Sequence, residues 1–289
     1  MVQQQALRDF DQSMRGFFNG THGRPSWRKA GRNEGFRIVA LRSSDVRRVN
    51  RHWAEFRVPK AGWVRFRLSR PVPDGVKSYR VARDSGGRWH IAFAAIPGAV
   101  AAPGNGEVVG IDRGVAVSAA LSTGEMLHCP GLLPAEQARL ARLERKLAMA
   151  RRGSNRRASV KRAVARLKAR EADRRKDWCE KTSTDLARRF DVIRVENLNV
   201  KAMTRSARGT VQVPGRKVAA KAGLNREIQR SGWGLLVRRL EEKAPGRIEK
   251  VAARLRASGA RHAGVWIGRA ARAKPSSAAP PAVMPATPT

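Results

Sequence analysis

An apolar run that ends in a carboxylate constrains this chain more than any other stretch. Residues 108–111 are mostly β-branched and predict a buried strand, which Asp112 follows directly. Gly114 predicts a tight turn in a left-handed backbone conformation, after which residues 115–121 return as a second strand. The carboxylate of Asp112 is therefore expected at the end of a central strand. There it can hold a divalent cation with a second carboxylate, or it can simply cap a turn.

A strand predicted further along the chain supplies such a carboxylate. Val192, Ile193 and Val195 predict a short strand, and Glu196 stands at its end. If this strand pairs beside the first, Asp112 and Glu196 can share a cation that offsets the repulsion between their charges. The alternative is a surface turn after a strand.

The charge of the chain indicates its partner. Lys and Arg number 60 against 23 Asp and Glu among 289 residues, a formal net charge of +37. Such a surplus repels itself in a compact state, and a polyanion relieves the repulsion, so nucleic acid is the expected partner. A solvated basic surface without a function is the alternative. We expect no small-molecule substrate.

No apolar run reaches the roughly 18 residues of a membrane span, and the N-terminus has no signal-peptide pattern. Cys129 and Cys179 fall in different predicted elements and predict neither a disulfide framework nor a zinc site. These features predict a cytoplasmic, nucleoid-associated protein without membrane contact.

Periodicity divides the chain into segments. Residues 1–18 predict a helix, 25–96 predict short strands of a small barrel or sandwich, and 97–106 predict a linker rich in Pro and Gly. Arg65 and Arg67 alternate with apolar residues in one strand, which favours a basic face beside aromatic side chains.

Two helices with a break at residues 153–155 are predicted between residues 134 and 190, and Ser154 is the expected N-cap of the second. Basic residues crowd this hairpin, which favours contact with phosphates over a merely solvated face. The candidate nucleic-acid contacts of the whole chain are Arg65, Arg67, Arg156, Arg157, Lys161 and Arg226.

The remaining segments are less regular. Residues 199–223 predict a mobile loop, 224–242 a helix with Trp233 in the core, and 247–251 an edge strand. Residues 252–289 lose all periodicity and predict a disordered tail.

Seven stretches of the chain occur together, in the same order, in one known family. They are Phe17-Phe-Asn-Gly20, Val58-Pro-Lys-Ala-Gly-Trp-Val64, Val109-Gly-Ile-Asp-Arg-Gly114, Gly153-Ser-Asn-Arg156, Val195-Glu-Asn-Leu-Asn-Val200, Leu224-Asn-Arg226 to Ser231-Gly-Trp-Gly234, and Leu240-Glu-Glu-Lys-Ala244. Through them the chain resembles the TnpB (OrfB) family of insertion-sequence transposase-like proteins. That family is related to the RuvC nuclease domains of type V CRISPR effectors.

The resemblance implies an architecture of the α+β or α/β class. Residues 1–24 would be a remnant of recognition helices and 25–100 a small wedge-type β-barrel. Residues 101–251 would be a ribonuclease-H-like RuvC domain with a long helical-hairpin insertion at about 134–190, and 252–289 a disordered tail in place of a zinc ribbon.

The resemblance also implies a function, namely Mg²⁺-dependent DNA cleavage guided by an RNA from the end of the insertion sequence. Asp112 takes the place of the first catalytic carboxylate and Glu196 that of the second, and both would be metal ligands. Pairing between RNA and DNA would give the choice of sequence.

Two departures from the family pattern modify this expectation. The family has further recognition elements before the helix at residues 1–18. It also has a Cys-x-x-Cys zinc ribbon and a third catalytic Asp after the position of Val251, and this sequence shows neither. We therefore expect no zinc, weakly held Mg²⁺ and impaired cleavage. The alternative is a non-catalytic DNA- or RNA-binding regulator of transposition.

The tail suggests an origin for the second departure. Read in a shifted frame, residues 255–289 permit, with suitable synonymous codons, two Cys pairs of such a ribbon and then the third Asp. We therefore expect a frame change near residues 251–254 and a tail without a metal site or packed fold. The nucleotide sequence of the gene decides between this origin and another.

Overall fold

The computed structural model describes residues 2–26, 34–39, 41–96 and 98–252. The prediction for the tail therefore lies outside the described residues, apart from residue 252. The described helices are α1 (Val2–Phe18), α2 (Pro134–Met149), α3 (Asn155–Arg189), α4 (Val200–Met203), α5 (Val218–Arg230) and α6 (Trp233–Lys243). The described strands are β1 (Gly35–Ile38), β2 (Val46–Arg48), β3 (Trp53–Val58), β4 (Gly62–Arg67), β5 (Ser78–Arg83), β6 (Trp89–Ala94), β7 (Val108–Asp112), β8 (Ala119–Leu121), β9 (Met126–Leu127), β10 (Val192–Glu196) and β11 (Ile248–Val251).

The first six strands form two antiparallel sheets, in the orders β1-β5-β6 and β2-β3-β4. Ile38, Phe56 and Tyr79 are buried between them, and the ring of Phe56 stands edge-on to that of Tyr79 at 5.1 Å. The Tyr79 hydroxyl joins the sheets, because it donates to the carbonyl of Arg57 in β3 at 2.9 Å. Burial raises the pKa of Tyr79 to about 12.

The predicted wedge-type barrel is not closed. Among the described strands, ladder hydrogen bonds join β1 to β5 and β3 to β4, but none joins the two sheets edge to edge. Aromatic packing between the facing sheets holds this region together instead, so the described part is a two-sheet sandwich. The sequence pattern of alternating apolar residues is the same for both architectures.

The second region is built around a five-stranded sheet of order β11-β10-β7-β8-β9. Strand β10 runs parallel to both β7 and β11, whereas β8 and β9 are antiparallel. The side chains of Val109, Ile111 and Ile193 are fully buried, and α3 and α6 cover them with Leu186, Leu236 and Leu240. Strands buried in this way read as continuous apolar runs, which is why β7 and β10 were predictable.

The predicted helical hairpin is confirmed as α2 and α3. The Ser154 hydroxyl accepts the main-chain N–H of Arg157 at 3.2 Å and caps α3, as expected. Glu136 fastens the two helices together, since Arg174 of α3 donates to both of its carboxylate oxygens, at 2.5 and 3.1 Å.

Gly114 does not adopt the left-handed conformation that the sequence suggested, because its backbone φ angle is not positive. Its N–H donates to the carbonyl of Val117 at 3.0 Å, and a Cβ there would lie 3.0 Å from the same oxygen. Glycine at this position thus lets the backbone come close to the carbonyl of Val117. Residues 115–118 form this tight turn, so the strand expected from residue 115 begins only at Ala119.

The helix predicted over residues 224–242 is two helices. Gly232, at φ +74°, separates α5 from α6. A Cβ at this glycine would lie 3.1 Å from the Cys179 Sγ atom. Helix α5 also begins at Val218, and α4 lies further upstream, so the predicted mobile loop is partly helical.

The linker before β7 is tied down by side chains. Asp191 accepts the N–H groups of Gly104 and Gly106 at 2.9 and 2.6 Å. Arg247 donates to the carbonyl of Val100 at 2.8 Å and also to two carbonyls at the end of α3. These contacts fix where β7 enters the sheet.

In the described ranges, no helix is long and apolar enough to cross a lipid bilayer.

Candidate catalytic and nucleic-acid sites

Asp112 and Glu196 end two neighbouring parallel strands. Val195 of β10 stands opposite Ile111 of β7, so the next position along both strands places Glu196 beside Asp112. Adjacent strands lie about 4.8 Å apart. Both carboxylates are half-buried at the carboxyl edge of the sheet. The predicted pairing of the two strands is confirmed, and the structure brings these two residues together.

A buried arginine accompanies them. Arg113 is 7% exposed, and its Nη2 atom donates to the main-chain carbonyl of Glu196. Its Nε atom is buried without a hydrogen-bond partner. Burial lowers the pKa of Arg113 below its usual value, and the charges of Glu196 and Asp112 offset only part of this shift. The guanidinium therefore lies in the field of both carboxylates and stays protonated.

Sequence reasoning missed Arg113. The signal was present, since an arginine directly after a buried apolar strand has to find a partner or reach solvent. The partner, however, is a carbonyl 83 residues away in the chain, which no local pattern reveals.

Contacts from a distant helix hold the turn that follows Asp112. The indole Nε1 of Trp233, at the start of α6, donates to the carbonyl of Gly114 at 3.2 Å. Trp233 is buried, which confirms its predicted core position. Further along the turn, the Ser118 hydroxyl accepts the N–H of Cys129 at 2.9 Å. The geometry at Asp112 thus depends on α6 as well as on the sheet.

The donor atoms at the carboxylate pair suit a hard cation such as Mg²⁺, which prefers oxygen ligands. The charge of Arg113 opposes that cation. Within residues 2–26, 34–39, 41–96 and 98–252, no group of three His, Cys, Asp or Glu side chains is placed to hold a metal. The oxygen donors of Asp112 and Glu196 are therefore of the type that a divalent ion takes, with one positive charge beside them.

The cysteines are poor metal ligands. Cys129 and Cys179 are both free thiols. Burial raises the pKa of Cys129 to about 11. Burial and, to a smaller extent, the charge of Cys129 raise the pKa of Cys179 to about 12. The thiolate form that binds zinc is therefore disfavoured at both positions.

The outer side of the β2-β3-β4 sheet carries a second candidate site, which we call the basic–aromatic face. Its register places Arg67 opposite Trp53 and Arg65 opposite Glu55. All side chains of this face are exposed to solvent except that of Glu55, which is half-buried. The face consists of Arg47, Trp53, Glu55, Arg57, Trp63, Arg65 and Arg67. The structure thus brings Arg65 and Arg67 together with aromatic rings.

The two tryptophans of this face are accessible, Trp53 at 41% and Trp63 at 39%. The guanidinium of Arg47 stacks 4.2 Å above the ring of Trp63. Glu55 accepts hydrogen bonds from Arg47 and Arg65, and these bonds, with that of Arg47 the largest cause, lower its pKa. Positive charge beside open aromatic rings is the arrangement that binds single-stranded nucleic acid.

The other predicted contacts lie on helices. Arg156 and Lys161 are exposed on the first turns of α3, and Arg226 is exposed on α5. Arg157 is engaged elsewhere, because its Nη1 atom donates to the carbonyls of Leu147 and Ala150 at 2.6 and 2.9 Å. Its guanidinium therefore secures the end of α2.

The sequence of this chain is similar to those of known proteins. Residues 90–207 match the OrfB_IS605 family model, described as a probable transposase. The chain is 35% identical over 242 residues to a protein of Escherichia coli K12 named "Putative RNA-guided DNA endonuclease InsQ", covering 83% of this chain and 58% of that protein. It is also 35% identical over 144 residues to a "Putative RNA-guided DNA endonuclease" of Streptomyces pristinaespiralis, covering 49% of this chain and 36% of that protein.

The chain thus spans 58% and 36% of the lengths of these two relatives. The matched part includes both carboxylate strands and the helical hairpin, since residues 90–207 contain β7, α2, α3 and β10. On these matches, the chain belongs to the TnpB (OrfB) family of insertion-sequence transposase-like proteins.

Proposed function

We propose that this protein is an RNA-guided, DNA-targeting member of its family with slow Mg²⁺-dependent nuclease activity. The observation that carries the proposal is the parallel register of β7 and β10, which sets Asp112 beside Glu196. The names of the two relatives support a DNA substrate and an RNA guide.

Asp112 and Glu196 would hold the metal ion through their carboxylate oxygens. When bound, Mg²⁺ supplies an activated water and stabilisation of the leaving oxygen. Arg113 weakens the attraction for that ion, and the paired ends of β7 and β10 offer it two carboxylates. Cleavage should therefore be slow.

The basic–aromatic face would grip the nucleic acid. Its arginines offer charge to phosphates and its tryptophans offer rings to bases, and neither contact depends on sequence. Base pairing between guide and target would then provide the choice of sequence. Arg156, Lys161 and Arg226 would extend the basic surface along the helices.

The test compares cleavage by the full chain, copurified with RNA from its own element, with cleavage by Asp112→Ala. We expect slow cleavage that needs Mg²⁺ and disappears in Asp112→Ala, with RNA binding unchanged. Asp177→Ala is the matched control, because Asp177 is an exposed carboxylate on α3 paired with Lys181 at 2.7 Å. Cleavage that persists in Asp112→Ala would refute the proposed site.

A second candidate function is nucleic-acid binding without cleavage, as in a regulator of transposition. The observation that favours it is the buried positive charge of Arg113 beside the two carboxylates. Tight, salt-dependent RNA or DNA binding by the wild-type chain, without cleavage in Mg²⁺ or Mn²⁺, would establish this function instead.

A further inference from the structure

Arg113 links the two strands that carry the carboxylates. It follows Asp112 directly in the chain, and its Nη2 atom donates to the carbonyl of Glu196 on the neighbouring strand. The side chain is 7% exposed, so the charge lies inside the protein. One buried donor, Nε, has no hydrogen-bond partner.

A buried guanidinium persists in a fold when opposite charges compensate it, because the desolvation of an isolated charge is very costly. Asp112 precedes Arg113 directly in the chain, and Glu196 supplies the carbonyl that Arg113 binds, so these are the carboxylates that the pairing of β7 with β10 brings to the guanidinium. The same reasoning applies in reverse. Two carboxylates at adjacent strand ends repel each other unless positive charge stands nearby.

We propose that Arg113 is the internal counter-ion of the Asp112–Glu196 pair, a positioning residue that holds the two strand ends together when no metal is bound. Its charge also makes the pair a weaker trap for a divalent cation. Only this second effect rests on the proposed function; the first concerns the metal-free fold.

The first test is a thermodynamic cycle on the full chain in EDTA. The double variant Asp112→Asn/Glu196→Gln is made in the wild-type background and in the Arg113→Met background. In the wild-type background we expect a lower Tm, because Arg113 keeps its buried charge and loses both compensating charges. In the Arg113→Met background we expect a higher Tm, because the substitutions then only relieve repulsion.

A Tm shift of the same sign in both backgrounds overturns the proposal. The double substitution changes packing and hydrogen bonds in the same way in both backgrounds. Comparing the signs of the two Tm shifts therefore cancels these changes. If Arg113→Met does not fold, the wild-type half decides alone: a lower Tm supports the counter-ion role and a raised Tm refutes it.

The second test is calorimetric titration of the full chain with Mn²⁺. Removal of a unit positive charge beside the carboxylates should tighten binding about tenfold or more in Arg113→Met, and Arg113→Lys should stay near wild type. Arg247→Met is the matched control, since Arg247 also donates to main-chain carbonyls but does so at the opposite edge of the same sheet, away from Asp112 and Glu196. It should lower the Tm and leave Mn²⁺ affinity unchanged.

Equal Mn²⁺ affinity in Arg113→Met and wild type would refute the effect on metal binding. Neither test measures cleavage. A protein that never cuts DNA can still show the reversal of sign, and a protein that cuts DNA can fail to show it, so the two proposals fail separately.

Discussion

The basic–aromatic face and the carboxylate edge of the central sheet use arginine in opposite ways. Arg65 and Arg67 lie on the exposed side of a strand whose other side packs in a small aromatic core, and Arg65 has one long bond to Glu55, at 3.3 Å. Arg113 is enclosed and bonded to main chain. Exposed arginines add little to stability and remain available to a partner, whereas an enclosed arginine is part of the fold.

The two regions also differ in how they are held together. The first depends on aromatic side chains between two small sheets, and the second on a parallel ladder covered by helices α3 and α6. An ion pair at 2.7 Å connects Arg88 of the first region to Asp173 of the second. Arg166 of α3 also donates to the carbonyl of Gly86 at 3.5 Å, so the turn between β5 and β6 joins the two regions.

The largest effect is expected from Leu236→Ala in α6, a side chain that is 1% exposed beneath the central sheet. The cavity should lower the free energy of unfolding by about 2–5 kcal/mol, measured by urea denaturation. Leu224→Ala is the control, because this leucine is 45% exposed and its loss should cost under about 0.5 kcal/mol. Equal losses in the two variants would contradict the assigned core.

A smaller effect, on binding rather than folding, is expected from Arg65→Gln/Arg67→Gln. Loss of two phosphate contacts should reduce the slope of log K against log salt by about 1.4 for single-stranded RNA. Affinity at moderate salt should fall about tenfold or more, while the Tm hardly changes. Fluorescence anisotropy over a salt series measures both quantities.

Arg157→Gln sharpens this comparison as a control from the helical hairpin. Because its guanidinium bonds to carbonyls at the end of α2, we expect a loss of roughly 1.5 kcal/mol of stability and an unchanged salt slope. If Arg157→Gln changes the slope as much as the double variant, the distinction between exposed and engaged arginines is wrong.

The smallest effect concerns pH. The bond from Arg174 holds the pKa of Glu136 at about 2, below its usual 4.5. A depressed carboxyl pKa stabilises the fold fully above the unfolded value and loses this effect as pH falls to the folded value. Between about pH 4.5 and 2, wild type should therefore lose stability more steeply than Glu136→Gln. Acid unfolding followed by circular dichroism measures this slope.

Glu144→Gln provides the comparison for that experiment, because Glu144 is an exposed carboxylate of the same helix, 3.4 Å from Lys168. Its acid unfolding curve should follow the wild-type curve. If Glu136→Gln loses stability with falling pH as steeply as wild type, the ion pair between Glu136 and Arg174 does not stabilise the hairpin.

Local pattern predicted much of this structure because the elements concerned are locally determined. The cap at Ser154 and the two carboxylate strands follow from capping chemistry and apolar runs. The misses depend on backbone geometry inside a turn and on how two sheets meet, neither of which an apolar pattern records. The turn at Gly114 is shaped by backbone approach to Val117, and no local pattern shows that the first two sheets stay unjoined.

The sequence predicted the two carboxylates of the site but not the buried arginine beside them. Asp112 and Glu196 each end a recognisable strand, so their meeting followed from parallel pairing. Arg113 looked like one more basic residue in a chain with 60 of them. Its role depends on burial, which composition cannot give.

The pairing of β7 with β10 also has a consequence for the order of folding. Arg113 and the carbonyl it binds are 83 residues apart, and α2 and α3 lie between them. Helices form from near neighbours within about a microsecond, whereas bringing distant strands together requires costly loop closure. The hairpin should thus be in place before the two carboxylates meet. We expect the carboxylate edge to form late on the pathway, and substitutions there to speed unfolding more than they slow folding.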